Sequence, residues 1–290
     1  MELKHTATRE GRLSSFLREE MGISAGLMNR LKWKEMLFVN GAPQHTDYPV
    51  KPGDVITVPL DDPQAQYPAQ QGELSILYED EHLLAVDKPA GMLIHPSRSR
   101  LTDTLANFVL GYYEKTGQSC AFHPITRLDR DTFGIVLLAK NAHIHALCNT
   151  LHNEGKLQKF YRALVYGGPE AEEGIIDAPI ERLPLPSLLR QVSPEGKPSQ
   201  TGFRVLSREA GYTKLELQAI TGRTHQLRVH CAHMGYPILG DPQYNSPQSL
   251  AFSQSKNLQT QLLCAYRLRL PHPITGENLV LTSGLDAVID

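Results

Sequence analysis

Four charged side chains crowd the six residues "TRLDRD" at 126–131: Arg127, Asp129, Arg130 and Asp131. The chain then turns wholly apolar from Ile135 to Ala139. A carboxylate set among guanidinium groups stays ionised at neutral pH, which suits a nucleophile or a general base. Asp129 is the candidate for that chemistry. The same string also reads as a surface ion-pair cluster, and taken alone it does not choose between the two.

Three further stretches carry groups able to do chemistry. In "TGRTHQLRVHCAHMGYPILGD" (221–241), Arg223, His225, Gln226, Arg228, His230 and His233 fall close together. Arginine is the natural bidentate partner of phosphate, and glutamine can read a base edge. The histidines lack the spacing of a helical zinc pair and no nearby Cys or Glu completes a tetrahedral set, so no metal is expected. "QKFYRALVYG" (158–167) interleaves Tyr161 with Lys159 and Arg162. Such a pattern can stack a base and hold its phosphate, or can be an amphipathic strand with a core tyrosine. In "VDKPAGMLIHP" (86–96) a Lys-Pro-Ala-Gly turn follows an apolar strand and is expected to leave Asp87, Lys88 and His95 near the surface, as an ordinary β-turn would.

These groups need elements to hold them. The 290 residues suffice for one large domain or two smaller ones. "LDDPQAQYPAQQGE" (60–73) is poor in apolar residues and carries two prolines, so 61–73 reads as a linker between a module at 1–60 and a domain at 74–290. In the first segment, Leu13, Phe16, Leu17 and Met21 have helical spacing, and Ser24 can cap a helix containing Leu27, Met28 and Leu31. "LFVNGAP" and "VKPGDVITVPL" follow as strands with Asn-Gly and Pro-Gly turns. Beyond residue 73, strands predominate. "DTLANFVLGYYEKTG" and "AHIHALCNTLHNEGK" read as helices, and "TFGIVLLAKN" as a strand. An α+β domain around a mixed, mostly antiparallel sheet is expected.

Composition restricts the function classes. The net charge of −2 leaves no global footprint for nucleic acid, so RNA binding would need local basic surfaces. The four cysteines show no C-x-x-C spacing, and a disulfide framework is not expected. The first residues contain no apolar signal region and no apolar run is long enough to span a bilayer, so a cytoplasmic protein free of the membrane is expected.

In order and spacing, "DKPAGMLIHP", "RLDRDTFGIVLLAKN", "KFYRALVYG" and "TGRTHQLRVHCAHMGYPILGD", followed by "LLCAYRLRLPHPITGE", closely resemble the RluA-type RNA pseudouridine synthase family over roughly residues 74 to 280. The leading segment, with Ser24 opening a helix that carries Arg30, Lys32 and Lys34, then "FVNG" and "VKPGD", resembles the alpha-L type RNA-binding module. Those cations would meet phosphates, or form a solvated helix face.

The resemblance implies an enzyme that isomerises uridine to pseudouridine in ribosomal or transfer RNA. It places the essential aspartate at Asp129, the aromatic that stacks on the base at Tyr161, its basic partner at Arg228 with Arg223 as second choice, and the apolar pocket residue at Leu263. Arg127 would enter the RNA helix as the uridine flips out. His225 and Gln226 fall in the same RNA-facing stretch. The chemistry requires no cofactor and no metal; RNA is the partner, no protein partner is evident, and a monomer is expected. The alternatives are a non-catalytic RNA-binding or ribosome-assembly protein on this scaffold, and a hydrolase using a second carboxylate, for which Asp131 is nearest. Three positions depart from the family pattern: Thr126 for its usual His, Phe133 for its usual Ser, and Cys264 where His is common. Thr126 and Phe133 flank the catalytic loop and put target choice in doubt, unless Phe133 simply fills a core void.

Overall fold

A strand with no exposed face belongs inside a sheet covered on both sides, and Phe133–Ala139 is buried at every position. The computed structural model describes residues 2–60, 67–97 and 100–289, and it builds the larger of two cores around this strand. The first core belongs to residues 2–60. Strands β1 (Glu2–Thr6), β2 (Phe38–Val39), β3 (Ala42–Pro43) and β4 (Val55–Pro59) form a sheet in the order β1-β4-β2-β3. A helical segment at 13–20 and helix α1 (Ala25–Trp33) cover it with Leu13, Phe16, Leu17 and Leu31. Ser24 caps α1, its hydroxyl accepting from the Leu27 amide at 3.2 Å. Asn40 and Gly41 close the β2–β3 hairpin with positive φ angles of 51° and 81°.

The larger sheet takes β5 (Ser75–Glu79), β6 (Leu83–Lys88), β7 (Phe133–Ala139), β8 (Gln158–Tyr166), β9 (Glu173–Asp177), β10 (Gln200–Glu209), β11 (Tyr212–Ala219), β12 (Leu263–Pro271) and β13 (Asn278–Thr282). Their order is β9-β10-β11-β8-β12-β7-β6-β5, with β13 beside β12. Among the described residues only the β7–β12 pair is parallel, so the class is α+β with a mixed, mostly antiparallel sheet.

Alternation along the central strands explains the layers. Leu84, Val86, Val136 and Leu138 face α2 (Leu105–Lys115), which contributes Leu105, Val109 and Tyr113. Leu83, Ala85, Ile135 and Leu137 point the opposite way, against Ile144 and Cys148 of α3 (Ala142–Asn153). A shorter helix, α4 (Gln226–His233), lays Leu227 and Cys231 against Tyr161, Leu215 and Leu217.

One expectation is altered. Residues 61–66 of the linker lie outside the described residues, but the remainder is docked on α2. The Gln70 amide donates to Asn107 O at 2.9 Å, and an ideal Cβ on Gly111 would lie 2.0 Å from Gln70 O. Glutamines and prolines read as a tether by composition, yet their backbone serves here as a packing surface. Phe133 is also turned into the core. It is the register partner of Cys264 across β7–β12 and shares a buried cluster with it, Tyr266 and Ile289. The larger residue at 133 and the smaller one at 264 therefore fill one space.

Next to Phe133, Gly134 allows β12 to approach. Its φ is 109°, and an ideal Cβ there would lie 2.4 Å from Ala265 O. Both the dihedral and the contact exclude a side chain. Gly134→Ala is expected to destabilise the protein by about 2 kcal/mol or more, measured as a lowered denaturant midpoint. An unchanged midpoint would show that the two strands can part without loss.

Candidate active site

Asp129, Tyr161, Arg228 and Leu263 are far apart in sequence and line a single cleft of about 810 Å³, together with Arg127, Arg223 and His225. Asp129 sits on the loop entering β7, Tyr161 on β8, Arg228 on α4 and Leu263 at the start of β12. Arg30, Lys32 and Lys34 are exposed on or just after α1 and are not part of this cleft.

The cleft is organised around a buried ion triad. Arg228 is 5% exposed at its side chain and Asp241 is 0% exposed. The guanidinium donates to both Asp241 oxygens, through Nε at 2.7 Å and Nη2 at 2.9 Å. Its Nη1 reaches outward to Asp129 Oδ2 at 3.1 Å, and Nη2 also donates to Gln243 Oε1 at 2.9 Å. Tyr244 lies under the guanidinium, 4.9 Å from ring centre to Cζ. Burial opposes the charge on Arg228, but Asp241 and Asp129 outweigh it and hold the pKa above its ordinary value. Asp241 is fixed in turn by the amides of Gln243 and Tyr244, at 2.9 and 3.0 Å. Arg228 thus presents its remaining donor edge to Asp129 in one orientation.

A second buried cation holds the loop that carries Asp129. Lys88 is fully buried, and its ammonium donates to the carbonyls of Pro89, Met92 and Arg130, each at 2.9 Å. Burial pushes its pKa down to about 8, against the opposing charges of Asp131 and Asp129. Asp87 is buried as well, accepting from the Ser283 hydroxyl at 2.6 Å and the Gly284 amide at 2.8 Å. The surface positions expected for Asp87 and Lys88 are therefore corrected: the strand carries both side chains inward, where each meets backbone groups that would otherwise lack partners. Thr126 closes the other side of the loop, its hydroxyl accepting from the Leu137 amide at 2.9 Å. Asp131 is engaged by its neighbour Arg130, at 2.9 and 3.0 Å, and does not line the cleft.

Tyr161 is almost wholly buried, and that burial, with the nearby Asp129 charge, holds its hydroxyl pKa far above the ordinary value. The side chain is accordingly uncharged at neutral pH. Lys159 lies two residues earlier on the same strand and also lines the cleft, its ammonium above the Gly222 backbone, where an ideal Cβ would lie 3.4 Å from Nζ. Burial pushes the Lys159 pKa down to about 8. Arg162 points to the opposite face, beside Asp286 and over the Tyr266 ring at 4.5 Å. Of the two cations flanking Tyr161 in sequence, only Lys159 belongs to the site.

Gln226 does not meet the expectation that it reads a base edge. Its Oε1 accepts from Thr221 Oγ1 at 2.7 Å and the Arg223 amide at 2.9 Å, and its Nε2 donates to Gln200 O and Thr201 Oγ1 at 2.9 and 3.0 Å. All four hydrogen-bonding positions of the amide are taken, so Gln226 braces the turn before α4. His225, which opens α4 in the left-handed region at φ 57°, bonds Tyr244 Oη at 2.8 Å. Its pKa is lowered by burial, with the Asp129 charge opposing and Arg228 reinforcing. His230 is spent structurally, between Thr201 Oγ1 and Ala178 O at 2.9 Å each. Nothing in the spacing of Asp241 and Tyr244 ties them to Asp129, and Lys88 stands in a stretch that reads as an ordinary β-turn; the partnership exists only in space.

Comparison with known proteins identifies the family. Residues 82–233 match the family described as RNA pseudouridylate synthase. The chain is 35% identical over 263 residues to the uncharacterized RNA pseudouridine synthase YjbO of Bacillus subtilis, covering 90% of each. It is 36% identical to the ribosomal large subunit pseudouridine synthase D of Pseudomonas aeruginosa, covering 77% of this chain and 71% of that one. Among solved structures, human RNA Pseudouridylate Synthase Domain Containing 4 superposes with a TM-score of 0.57 at 27% identity, covering 72% of this chain and 87% of that chain. An α+β fold, a cleft built around one carboxylate–guanidinium pair and relatives of this kind lead to one assignment: the chain belongs to the RNA pseudouridylate synthase family and is an isomerase acting on uridine in RNA.

Proposed function

We propose that Asp129 is the group that reacts with the target uridine, and that the target lies in ribosomal RNA. One observation carries the first part. Among the described residues lining the cleft, Asp129 is the only carboxylate, and it faces the cleft with Arg228 at its back. A hydrolase working through two carboxylates would need a second one across the cleft, and Asp131 is turned to Arg130 instead. An isomerisation needs only one. The N1–C1′ bond breaks, C5 bonds to C1′, and a proton lost from C5 is balanced by one gained at N1. No electron or outside group is exchanged. Asp129 can act at C1′, at C6, or as the base that forms a glycal.

Each route requires the base out of its stack, at a cost of a few kcal/mol. In this reading the Tyr161 ring and the Leu263 side chain receive the extruded uracil, Arg127 at the exposed rim takes its place in the RNA helix, and Lys159 and Arg223 hold flanking phosphates. Support for ribosomal RNA comes from relatives named for the large ribosomal subunit; transfer RNA is the alternative. Mapping pseudouridines across total RNA with and without the gene decides between them. Loss of sites in transfer RNA alone would overturn the ribosomal assignment.

Asp129→Asn is expected to abolish pseudouridine formation while RNA affinity changes less than about threefold, since the side chain keeps its volume and an acceptor for Arg228. A variant as active as the parent, or release of free uracil by the parent, would overturn the role given to Asp129. The pH dependence tests Lys159. Its ammonium, with a pKa of about 8, is charged below that pH and neutral above it, so kcat/KM is expected to fall as pH rises through 8. In Lys159→Arg, which stays charged, this limb should disappear. A limb that persists unchanged would remove Lys159 from phosphate binding and point to Lys88.

A further inference from the structure

Trp33 is the only tryptophan in the chain and is 86% exposed, at the C-terminal end of α1. Burial of a tryptophan is among the larger apolar contributions a side chain makes, and this one is left outside a core that accepts its neighbours. Leu31 is buried on the opposite face of α1, and Leu27 and Met28 pack against the same core. At 3.6 residues per turn, Trp33 lies in the middle of the exposed arc, with Lys32 on one side and Arg30 and Lys34 on the other.

The charges around it have no partners among the described residues. None of Arg30, Lys32 or Lys34 forms an ion pair or side-chain hydrogen bond among the described residues, and Trp33 stacks on no other ring or cation. The first turn of α1 carries no acidic residue, and Glu35, just beyond the helix, is exposed. A protein of net charge −2 thus gathers three unneutralised cations around one open aromatic surface. An isolated exposed apolar residue needs no explanation. One ringed by free cations has the complementarity of a ligand with anionic groups next to flat π faces.

We propose that Trp33 is a stacking platform for an unpaired base of the RNA substrate, whose adjacent phosphates are held by Arg30, Lys32 and Lys34. The proposal rests on the reading of the protein as an RNA-modifying enzyme and adds a second contact, outside the cleft. It gives residues 2–60 a preference for RNA in which a duplex gives way to an exposed base, because a fully paired helix offers phosphates but no accessible face. Stacking of this kind is worth about 1–3 kcal/mol per base, which corresponds to about five- to 150-fold in affinity.

Being the sole tryptophan, Trp33 reports on its own contact. The full-length protein is titrated with a short RNA hairpin bearing an unpaired loop, with the blunt duplex of the same length, and with heparin, a polyanion without bases. The hairpin is expected to quench Trp33 emission strongly, and duplex and heparin to leave it nearly unchanged. Trp33→Ala should weaken hairpin binding about tenfold and Trp33→Phe should recover much of that loss. Equal quenching by heparin and hairpin would overturn stacking in favour of charge alone. Unaltered emission and affinity with every RNA would overturn the proposal outright. A blue shift that grows with protein concentration without RNA would assign the surface to a second copy of the chain, and also overturns it. Pseudouridine formation by the same preparation is scored separately, so failure of the enzymatic reading is distinguishable from failure of the Trp33 contact.

Discussion

The molecule is arranged around a guanidinium that is almost wholly shut off from water. A buried arginine is tolerable only if anions and acceptors occupy its donors, and Asp241, Gln243 and Asp129 divide the fork of Arg228 among them. Asp241 lies deep and Asp129 lies at the cleft, so one cation connects the interior to the cleft wall. Position follows from charge: α4 must begin where Arg228 can enter, the segment after it must return to bring Asp241 underneath, and the loop before β7 must place Asp129 above.

The elements that satisfy these demands are mostly evident in the chain. Alternating apolar residues in the central strands mark both covered faces, and capping residues such as Ser24 mark helix starts. The grouping of Asp129, Tyr161, Arg228 and Leu263 is suggested by resemblance, since no local pattern joins residues so distant in sequence. What sequence patterning misses has a common origin. Lys88, Asp87 and Gln226 are polar residues serving backbone groups in the interior, and polarity alone predicts a surface position for each. Burial of a polar side chain depends on which carbonyls and amides lack partners after folding, and that is a property of the assembled backbone.

The residues at 126 and 133 illustrate the difference between a departure and its consequence. Thr126 lines the cleft and bonds the Leu137 amide, so it bears on the site and on the strand together. Phe133 meets only the core, and its register partner Cys264 lies in the same cluster. Phe133 and Cys264 belong to one packing solution, and of the positions at 126 and 133 only Thr126 faces the cleft.

The three carbonyls that share the Lys88 ammonium have an implication for the encounter with RNA. A loop so tethered does its ordering during folding, where the chain entropy it forfeits is offset by the cooperative unit of which it is part. Little reorganisation is then left for the loop that carries Asp129, and in the reading proposed above the conformational work of the encounter falls on the nucleic acid. On that reading an RNA that resists unstacking would meet a rigid counterpart, and the mechanical compliance of a uridine's surroundings would be a criterion of choice alongside their sequence.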